Sequence, residues 1–397
     1  MRGLTALFGC CLLCPAAFAE LPPQKFDFAP GGNAGAHPLY DTERGFGFES
    51  DAPAKFSVRV PEGNYRITVR LRADRKHAAS SIYAEQRRLM IDENIPRGTI
   101  ERSFIVNVRT AELAPLPANA TGGAKVLLKP REIGSATWDD KLTLEFAGDA
   151  AVRSVSIAPA DVPTLYLAGD STVTDQGVAP SASWGQRLPR LFAPDIAVAN
   201  HAESGETLKS FVTEMRLDKL LSKLRPGDWV MIQFGHNDQK TQWPQTYAEA
   251  ATTYRSWLRT YIAEIRRRGA TPLLVTSPER RNFDAAGHIV PSLGDYPDAM
   301  RAVATEESVA LIDLNPMSCR FYEALGPGIS PRAFADDGRD KTHHNEYGAE
   351  ALARMVIEGL RGVDPQLAAG LAAHLAADAG HFDPSHPPPP TSQKASP

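Results

Sequence analysis

Cysteine is scarce in this chain of 397 residues, which contains four. Three of them lie within the first twenty residues, at Cys10, Cys11 and Cys14, and only Cys319 follows. Those first residues have the features of a removable leader, so the processed chain would keep one cysteine, which excludes an intramolecular disulfide. We interpret Cys319 as a small apolar side chain that fills space in the core.

A strong net charge and long apolar segments are also missing after the leader. The formal net charge is -4, so the chain lacks the basic surface that nucleic-acid-binding proteins present to phosphates. No stretch approaches the roughly 20 consecutive apolar residues that a transmembrane helix needs. These absences predict a protein without a nucleic-acid or membrane partner. The 43% hydrophobic content suffices for full cores, in two domains more readily than in one.

Residues 1–19 have the pattern of a secretory signal peptide. Arg2 precedes an apolar stretch at residues 4–13, and the small-residue pattern Ala17-Phe18-Ala19 precedes Glu20. We therefore predict cleavage near Ala19 and a secreted or periplasmic location. The alternative is a lipoprotein anchored at Cys10, which is disfavoured because the apolar stretch before that residue is very short.

Residues 24–160 have the pattern of a β-sandwich domain. Hydrophobic and polar residues alternate with a period of two, as strands with one buried face require, at residues 56–60, 65–71, 104–108 and 142–146. Turn-forming residues at 61–64 lie between the first two runs, which predicts a hairpin. Several short strands without convincing helices favour a sandwich, with residues 115–123 as a surface loop.

Residues 161–365 alternate between apolar strands and amphipathic helices. Strands are predicted at residues 164–168, 196–199, 229–234, 272–276 and 310–314. Helices are predicted at residues 208–224, 246–268 and 349–361, where apolar residues recur every three or four positions. This pattern is typical of an α/β domain with a doubly wound, five-stranded parallel sheet of the flavodoxin-like kind. Residues 381–397 are rich in proline and poor in apolar residues, which predicts a disordered tail.

Four polar clusters lie close to the ends of these strands: Gly169-Asp170-Ser171, Ser204-Gly205, Gly235-His236-Asn237-Asp238 and Asp340-Lys341-Thr342-His343. Ligands of open α/β sheets bind outside the carboxyl ends of the strands, so the first three clusters are expected at one edge, within reach of the fourth. Each cluster also has an ordinary explanation, because Asp, Ser, Asn and Gly form turns and helix caps. Their order, placement and completeness favour a single site.

Together the clusters contain the groups that acyl transfer requires. The hydroxyl of Ser171 must lose its proton as it attacks, and the imidazole of His343 can accept that proton near neutral pH. Asp340 lies three residues earlier and can orient this ring. The side-chain amide of Asn237 can stabilise the negative oxygen of a tetrahedral intermediate. We interpret His236 as a packing or supporting residue.

These blocks resemble the signature blocks of the SGNH (GDSL-type) hydrolases. The longer strings at residues 168–173, 200–205, 233–240 and 340–343 are similar to those of rhamnogalacturonan acetylesterases. The resemblance covers residues 165–362 and extends to residues 129–134 and 138–142. In bacterial relatives the leading domain is a galactose-binding-like sandwich.

The resemblance implies a secreted serine esterase that removes acetyl groups from rhamnogalacturonan, a pectin component, without a metal or other cofactor. Ser171 would be the nucleophile, His343 the general base and then acid, and Asp340 the carboxylate that orients His343. The oxyanion hole would consist of the backbone N–H groups of Ser171 and Gly205 and the amide of Asn237. Many relatives carry arginine after this glycine, whereas this chain has Glu206, so the resemblance does not support a substrate-carboxylate contact there.

Other functions stay open from the sequence. The same blocks would serve an esterase of acetylated xylan, of another carbohydrate or of lipids. A non-catalytic carbohydrate-binding protein is disfavoured, because every catalytic position holds a competent residue. A metal-dependent hydrolase is disfavoured because His343-His344 lacks a partner at helical spacing. The predicted partner is an acetylated polysaccharide or oligosaccharide, and Trp138 either faces the cleft from the first domain or is an ordinary buried side chain.

Overall fold

The structure is a computed structural model in which residues 22–75, 78–119, 121–376 and 381–390 are described. The predicted signal peptide lies outside the described residues. Antiparallel strands occupy the chain up to residue 159, and a parallel sheet with helices follows from residue 164. None of the helices in the described ranges is both long and apolar enough to cross a membrane.

The antiparallel strands form two sheets around one apolar core. The strands are β1 (Gln24–Asp27), β2 (Phe46–Phe48), β3 (Lys55–Arg59), β4 (Gly63–Ala73), β5 (Ala78–Ala84), β6 (Arg88–Ile95), β7 (Gly98–Val108), β8 (Lys141–Gly148) and β9 (Ala151–Pro159). One sheet has the order β1-β9-β4-β7 and the other β2-β3-β8-β5-β6. Phe56 and Ile82 of one sheet share a buried cluster with Ile67 and Val155 of the other, as the facing layers of a sandwich do.

The turn at residues 61–64 differs from the predicted hairpin. It joins β3 to β4, and these strands belong to different sheets. β3 pairs with β2 and β8, whereas β4 pairs with β7 and β9. The hairpin prediction is wrong because period-two alternation reports only that each strand has one buried face. It does not specify which strands pair.

The later part of the chain is a parallel sheet covered on both faces. Its strands are β10 (Thr164–Gly169), β11 (Ser181–Ala182), β12 (Ala197–Asn200), β13 (Trp229–Gln233), β14 (Thr271–Val275), β15 (Ala310–Ile312) and β16 (His344–Asn345). The parallel order is β12-β10-β13-β14-β15, with β11 and β16 paired separately. This order reverses direction next to β10, as doubly wound sheets do, and confirms the predicted fold class.

Helices pack on both faces of this sheet. They are α1 (Trp184–Arg187), α2 (Leu208–Thr213), α3 (Arg216–Leu221), α4 (Arg255–Arg266), α5 (Tyr296–Glu306), α6 (Leu314–Ile329), α7 (Glu346–Val363), α8 (Pro365–Ala368) and α9 (Ala373–Ala376). Leu165 and Leu167 of β10 share a cluster with α7, whereas Tyr166 and Ala168 share one with α4. Successive side chains of a strand point to opposite faces, so both faces are covered.

The helix predicted at residues 208–224 is two shorter helices, α2 and α3. Thr207 begins α2 with a reciprocal capping box to Ser210. The chain then turns at Met215, whose φ of 62° is left-handed. Apolar residues continue at helical spacing across this break, so the pattern does not reveal it. The break matters because Arg216, directly after it, is fully buried.

The tail differs from the predicted disorder over the part that the structure describes. Phe382 is buried, with its ring centroid 6.4 Å from that of Phe321. Tyr347 donates a hydrogen bond of 2.6 Å to the carbonyl oxygen of Pro388. Composition did not reveal that this segment packs on the α/β part, because one buried aromatic side chain among prolines and polar residues hardly changes the mean hydropathy. Residues 391–397 lie outside the described residues.

Candidate active site

Ser171 lies two residues after the end of β10, at the carboxyl edge of the parallel sheet. The preceding Asp170 is fully buried and holds this turn, since its Oδ1 accepts hydrogen bonds from the backbone N–H and the hydroxyl of Thr172, both of 2.9 Å. Asp170 Oδ2 lies 3.2 Å from Nδ1 of His236, whose other ring nitrogen lies 2.9 Å from the carbonyl oxygen of Pro278. His236 therefore supports the turn that carries Ser171, in agreement with its interpretation as a supporting residue.

His343 and Asp340 reach Ser171 from the loop before α7. Nε2 of His343 lies 2.8 Å from Oγ of Ser171, and Nδ1 lies 2.7 Å from Oδ2 of Asp340. Asp340 Oδ1 also accepts hydrogen bonds from the backbone N–H groups of Thr342 and His343, of 2.7 and 2.9 Å. The loop thus closes on itself and aims the imidazole at the serine hydroxyl, the geometry in which a histidine can take a proton from serine.

The charge of Asp340 determines which ring nitrogen of the neutral His343 side chain carries the proton. Burial would raise the pKa of Asp340, but hydrogen bonds from the His343 ring and from two backbone N–H groups outweigh it and hold this pKa well below its usual range. An ionised Asp340 accepts a hydrogen bond from Nδ1–H of His343, which leaves the unprotonated Nε2 to face Ser171. The adjacent His344 is directed to Tyr322 instead, at 2.8 Å, and burial lowers its pKa to about 3.

Three amide donors line the cleft beside Ser171. They are the backbone N–H groups of Ser171 and Gly205, which have no acceptor among the described residues, and the side chain of Asn237. Gly205 has a φ of 85°, which glycine adopts without strain. Asn237 Nδ2 donates to the carbonyl oxygen of Glu206 at 3.0 Å, and its Oδ1 accepts from Nζ of Lys240 at 2.7 Å. These two bonds fix the orientation of the amide.

Glu206 is fully buried and belongs to an ion network behind the cleft. Its carboxylate pairs with Lys129, accepts a 2.6 Å hydrogen bond from the hydroxyl of Ser210 and lies 3.6 Å from Nε of Arg216. A carboxylate in this position anchors neighbouring cations. It does not line the cleft.

A segment of the first part of the chain, residues 129–132, covers the loop that contains Gly205. Lys129 Nζ and Arg131 Nη2 both donate to the carbonyl oxygen of Ser204, at 2.8 and 2.5 Å. Arg131 Nε also pairs with Glu203 at 2.6 Å. The loop is therefore held by two cations of the segment that precedes β8. Trp138 donates to Glu132 at 2.8 Å and is buried, so it is a packed side chain and does not face the cleft.

The pair of Glu132 and Arg216 fastens this segment to the α/β part. Arg216 is fully buried, and its Nη1 and Nη2 contact the two oxygens of Glu132 at 2.9 and 2.5 Å. We expect Arg216→Met to lower the free energy of unfolding by about 3–5 kcal/mol, because a buried carboxylate would lose its counter-charge. Urea denaturation followed by fluorescence measures this loss.

The control for this change is Arg225→Met, which removes an exposed guanidinium paired with Asp161. Its expected cost is about 0–1 kcal/mol, because exposed ion pairs contribute little. Equal effects of the two substitutions would show that the buried pair does not fasten the two parts.

A cleft of about 580 Å³ is lined by Ser171, Gly205, Asn237 and His343. Sequence reasoning gave no site role to five side chains that also line it: Lys129, Arg131, Lys240, Trp243 and Arg280. Arg280 follows the carboxyl end of β14, so the rule that ligands bind at strand ends would have indicated it. Trp243 carried no signal of this kind. In the described ranges, no three His, Cys, Asp or Glu side chains are grouped as a metal ion would require.

Comparison with known proteins identifies a family for the later part of the chain. Residues 167–351 match the GDSL-like lipase/acylhydrolase family. The chain is 40% identical over 229 residues to the rhamnogalacturonan acetylesterase RhgT of Bacillus subtilis (strain 168), a match covering 54% of this chain and 95% of RhgT. It is 27% identical over 381 residues to the uncharacterized esterase YxiM of the same organism, covering 86% of this chain and 92% of YxiM.

The fold comparison extends over both parts of the chain. The crystal structure of YxiM from Bacillus subtilis has a TM-score of 0.50 and 24% sequence identity, and the match covers 88% of this chain and 99% of that protein. All four polar clusters lie within the segment that matches the family. The chain therefore belongs to the SGNH, or GDSL-like lipase/acylhydrolase, family of esterases.

Proposed function

We propose that this protein is a secreted serine esterase that removes acetyl groups from rhamnogalacturonan. The observation that carries the proposal is the hydrogen-bonded chain of Ser171, His343 and Asp340, with distances of 2.8 and 2.7 Å. Residues 24–160 would form a sandwich domain that holds the Gly205 loop, and residues 161–365 the catalytic domain. Residues 1–19 would direct export from the cytoplasm and be removed by cleavage near Ala19.

In the acylation step, Oγ of Ser171 attacks the acetyl carbonyl carbon while Nε2 of His343 takes the hydroxyl proton. Asp340 stabilises the resulting imidazolium and keeps its ring in place. The protonated His343 then gives its proton to the departing sugar oxygen as the ester bond breaks. The products of this step are a free sugar hydroxyl and an acetyl group on Ser171.

In the deacylation step, water attacks the acetyl group and His343 again accepts the proton. Acetate leaves when His343 returns this proton to Ser171. Both steps place negative charge on the former carbonyl oxygen. The N–H groups of Ser171 and Gly205 and the amide of Asn237 would stabilise that oxygen without reorganising, because the loop contacts and the bonds to Glu206 and Lys240 already hold them.

The substrate is proposed from two sources. RhgT, 40% identical over the catalytic part, is named as a rhamnogalacturonan acetylesterase. An acetyl group suits this site, because only a methyl group must fit beside the oxyanion donors and the rest of the cleft can bind the sugar. A volume of about 580 Å³ is within the range of pockets that bind ligands of several rings.

Acetate release from acetylated polysaccharides tests this proposal. Rhamnogalacturonan, homogalacturonan and xylan with matched acetyl content should be compared by kcat/KM. We expect the highest value on rhamnogalacturonan. A preference for xylan of about tenfold or more, equivalent to about 1.4 kcal/mol in transition-state binding, would replace the pectin substrate and leave the esterase mechanism intact.

A further inference from the structure

The cleft contains four cationic side chains, and two of them have no carboxylate partner. Lys129 is paired with Glu206, and Arg131 is paired with Glu203. Lys240 and Arg280 line the same cleft, but neither forms an ion pair with any carboxylate in the part of the chain that the structure describes. The cations of the cleft are therefore ion-paired on the side of residues 129–131, whereas Lys240 and Arg280 have no ion-pair partner among the described residues.

Arg280 is positioned by neutral acceptors. Its Nη1 donates to the carbonyl oxygen and the hydroxyl of Ser292, at 3.3 and 3.2 Å, and its Nη2 donates to the carbonyl oxygen of His236 at 3.3 Å. The side-chain amide of Gln239 donates from its nitrogen to the carbonyl oxygen of Ser292, and its oxygen lies 3.0 Å from Nη1 of Arg280. These contacts hold the planar guanidinium in place without neutralising its charge.

Glu279, the nearest acidic residue in the sequence, attracts the charge of Arg280, as does Asp170, but neither forms an ion pair with its guanidinium among the described residues. The Glu279 carboxylate is buried and accepts hydrogen bonds from the backbone N–H groups of Arg280 and Ser292, at 2.8 and 3.1 Å, and from the hydroxyl of Ser292. These bonds use the carboxylate to shape the loop after β14. The guanidinium lines the cleft with neutral acceptors as its hydrogen-bond partners.

Lys240 lies close to the proposed oxyanion donor and to an exposed aromatic ring. Its Nζ donates to Oδ1 of Asn237 at 2.7 Å and lies 3.9 Å from the centre of the Trp243 ring. Trp243 is 40% exposed, an unusual surface position for tryptophan. Burial and the charge of Arg280 lower the pKa of Lys240, and burial lowers that of Arg280. Two cations that repel each other and lose water are costly unless an anion joins them.

We infer that Lys240 and Arg280 form a subsite for the carboxylate of a uronic acid unit in the saccharide, with Trp243 as a surface for a sugar ring. The inference rests on the proposed function, which supplies the carbohydrate ester. A guanidinium presents two parallel N–H donors to a carboxylate, and a neighbouring ammonium adds charge. This subsite would replace the contact that an arginine at the position of Glu206 could make, and it uses loops after β13 and β14.

Competitive inhibition tests the subsite with small sugars. Hydrolysis of 4-nitrophenyl acetate is measured with digalacturonate or neutral xylobiose as the inhibitor. We expect digalacturonate to bind the unaltered protein more tightly than xylobiose does. In Arg280→Gln its inhibition constant should rise at least about tenfold, within the range for lost charge-assisted contacts, while that of xylobiose should stay the same.

Two controls separate the subsite from general effects. Arg267→Gln makes the same change at an exposed residue just before β14, at the opposite edge of the sheet, and should leave the digalacturonate constant unaltered. Arg280→Lys keeps the charge without the paired donors, so it should fall between the unaltered protein and Arg280→Gln. Digalacturonate inhibition of the unaltered protein should also weaken when NaCl is raised, a measurement that needs no variant.

The outcomes distinguish this inference from the proposed function. Equal inhibition constants for the two sugars, or no effect of Arg280→Gln on digalacturonate, would overturn the subsite even if acetate is released from rhamnogalacturonan. Conversely, Arg280-dependent inhibition without acetate release from rhamnogalacturonan would support the carboxylate subsite and reject the proposed substrate.

Discussion

Ser171→Ala is expected to lower kcat for acetyl ester hydrolysis by about 10⁴–10⁶, the range found when the nucleophile of a serine triad is removed. The reason is geometric. Among the described residues, the hydroxyl of Ser171, at 2.8 Å, is the one that contacts Nε2 of His343, and alanine leaves the imidazole and the oxyanion donors without an attacking oxygen. Steady-state hydrolysis of 4-nitrophenyl acetate measures the loss.

A second measurement identifies the nucleophile directly. A serine-directed phosphonate should add once, at Ser171, as detected by mass spectrometry of the digested protein. The control Ser256→Ala removes a serine hydroxyl from the exposed face of α4, where the hydroxyl of Ser256 donates to the carbonyl oxygen of Thr252. This control should retain activity and labelling. A fully active Ser171→Ala protein would exclude the proposed mechanism.

Asn237→Ala is expected to reduce kcat by about 10²–10³ and to change KM little, because an oxyanion donor acts mainly in the transition state. The amide of Asn237 is held between the carbonyl oxygen of Glu206 and the ammonium of Lys240, so it is oriented before substrate arrives. Alanine removes the donor and leaves the backbone in place. Separate determination of kcat and KM on the same acetyl ester tests both expectations.

The matched control for this prediction is Asn94→Ala, which removes an amide from an exposed position of β6 in the sandwich. It should leave both kinetic constants unaltered. Unaltered kcat in Asn237→Ala would move the oxyanion role to the backbone N–H groups of Ser171 and Gly205 alone. A rise in KM with constant kcat would instead assign Asn237 to ground-state binding of the sugar.

Much of the α/β part was predictable from the sequence, because its signals are local. Each predicted strand of the parallel sheet overlaps an observed one, from β10 to β15, since apolar runs between amphipathic helices have few other uses in a fold. The same strand ends predicted that Ser171, Gly205 and Asn237 would meet at one edge. They line one cleft there.

The sandwich was less predictable because its strand pairing is decided by contacts distant in sequence. Alternation located β3, β4, β7 and β8, but β1, β2, β5, β6 and β9 were not identified, and the turn at residues 61–64 was wrongly assigned to a hairpin. An alternating strand fits either sheet of a sandwich equally well, so pairing follows only when both apolar faces close on one core.

The sequence by itself determined the fold class, the order of the polar clusters and the triad that they predict. Each of these depends on the spacing of apolar residues and on the residues that follow each strand, which are local features of the sequence. Only the tertiary structure decided that residues 129–132 cover the Gly205 loop, and that Glu206 is buried against Lys129. It alone separated the paired cations of the cleft from Lys240 and Arg280. Which cations are ion-paired depends on distances between segments that are far apart in the sequence, such as Lys129 and Glu206, 77 residues apart, and no local pattern encodes those distances.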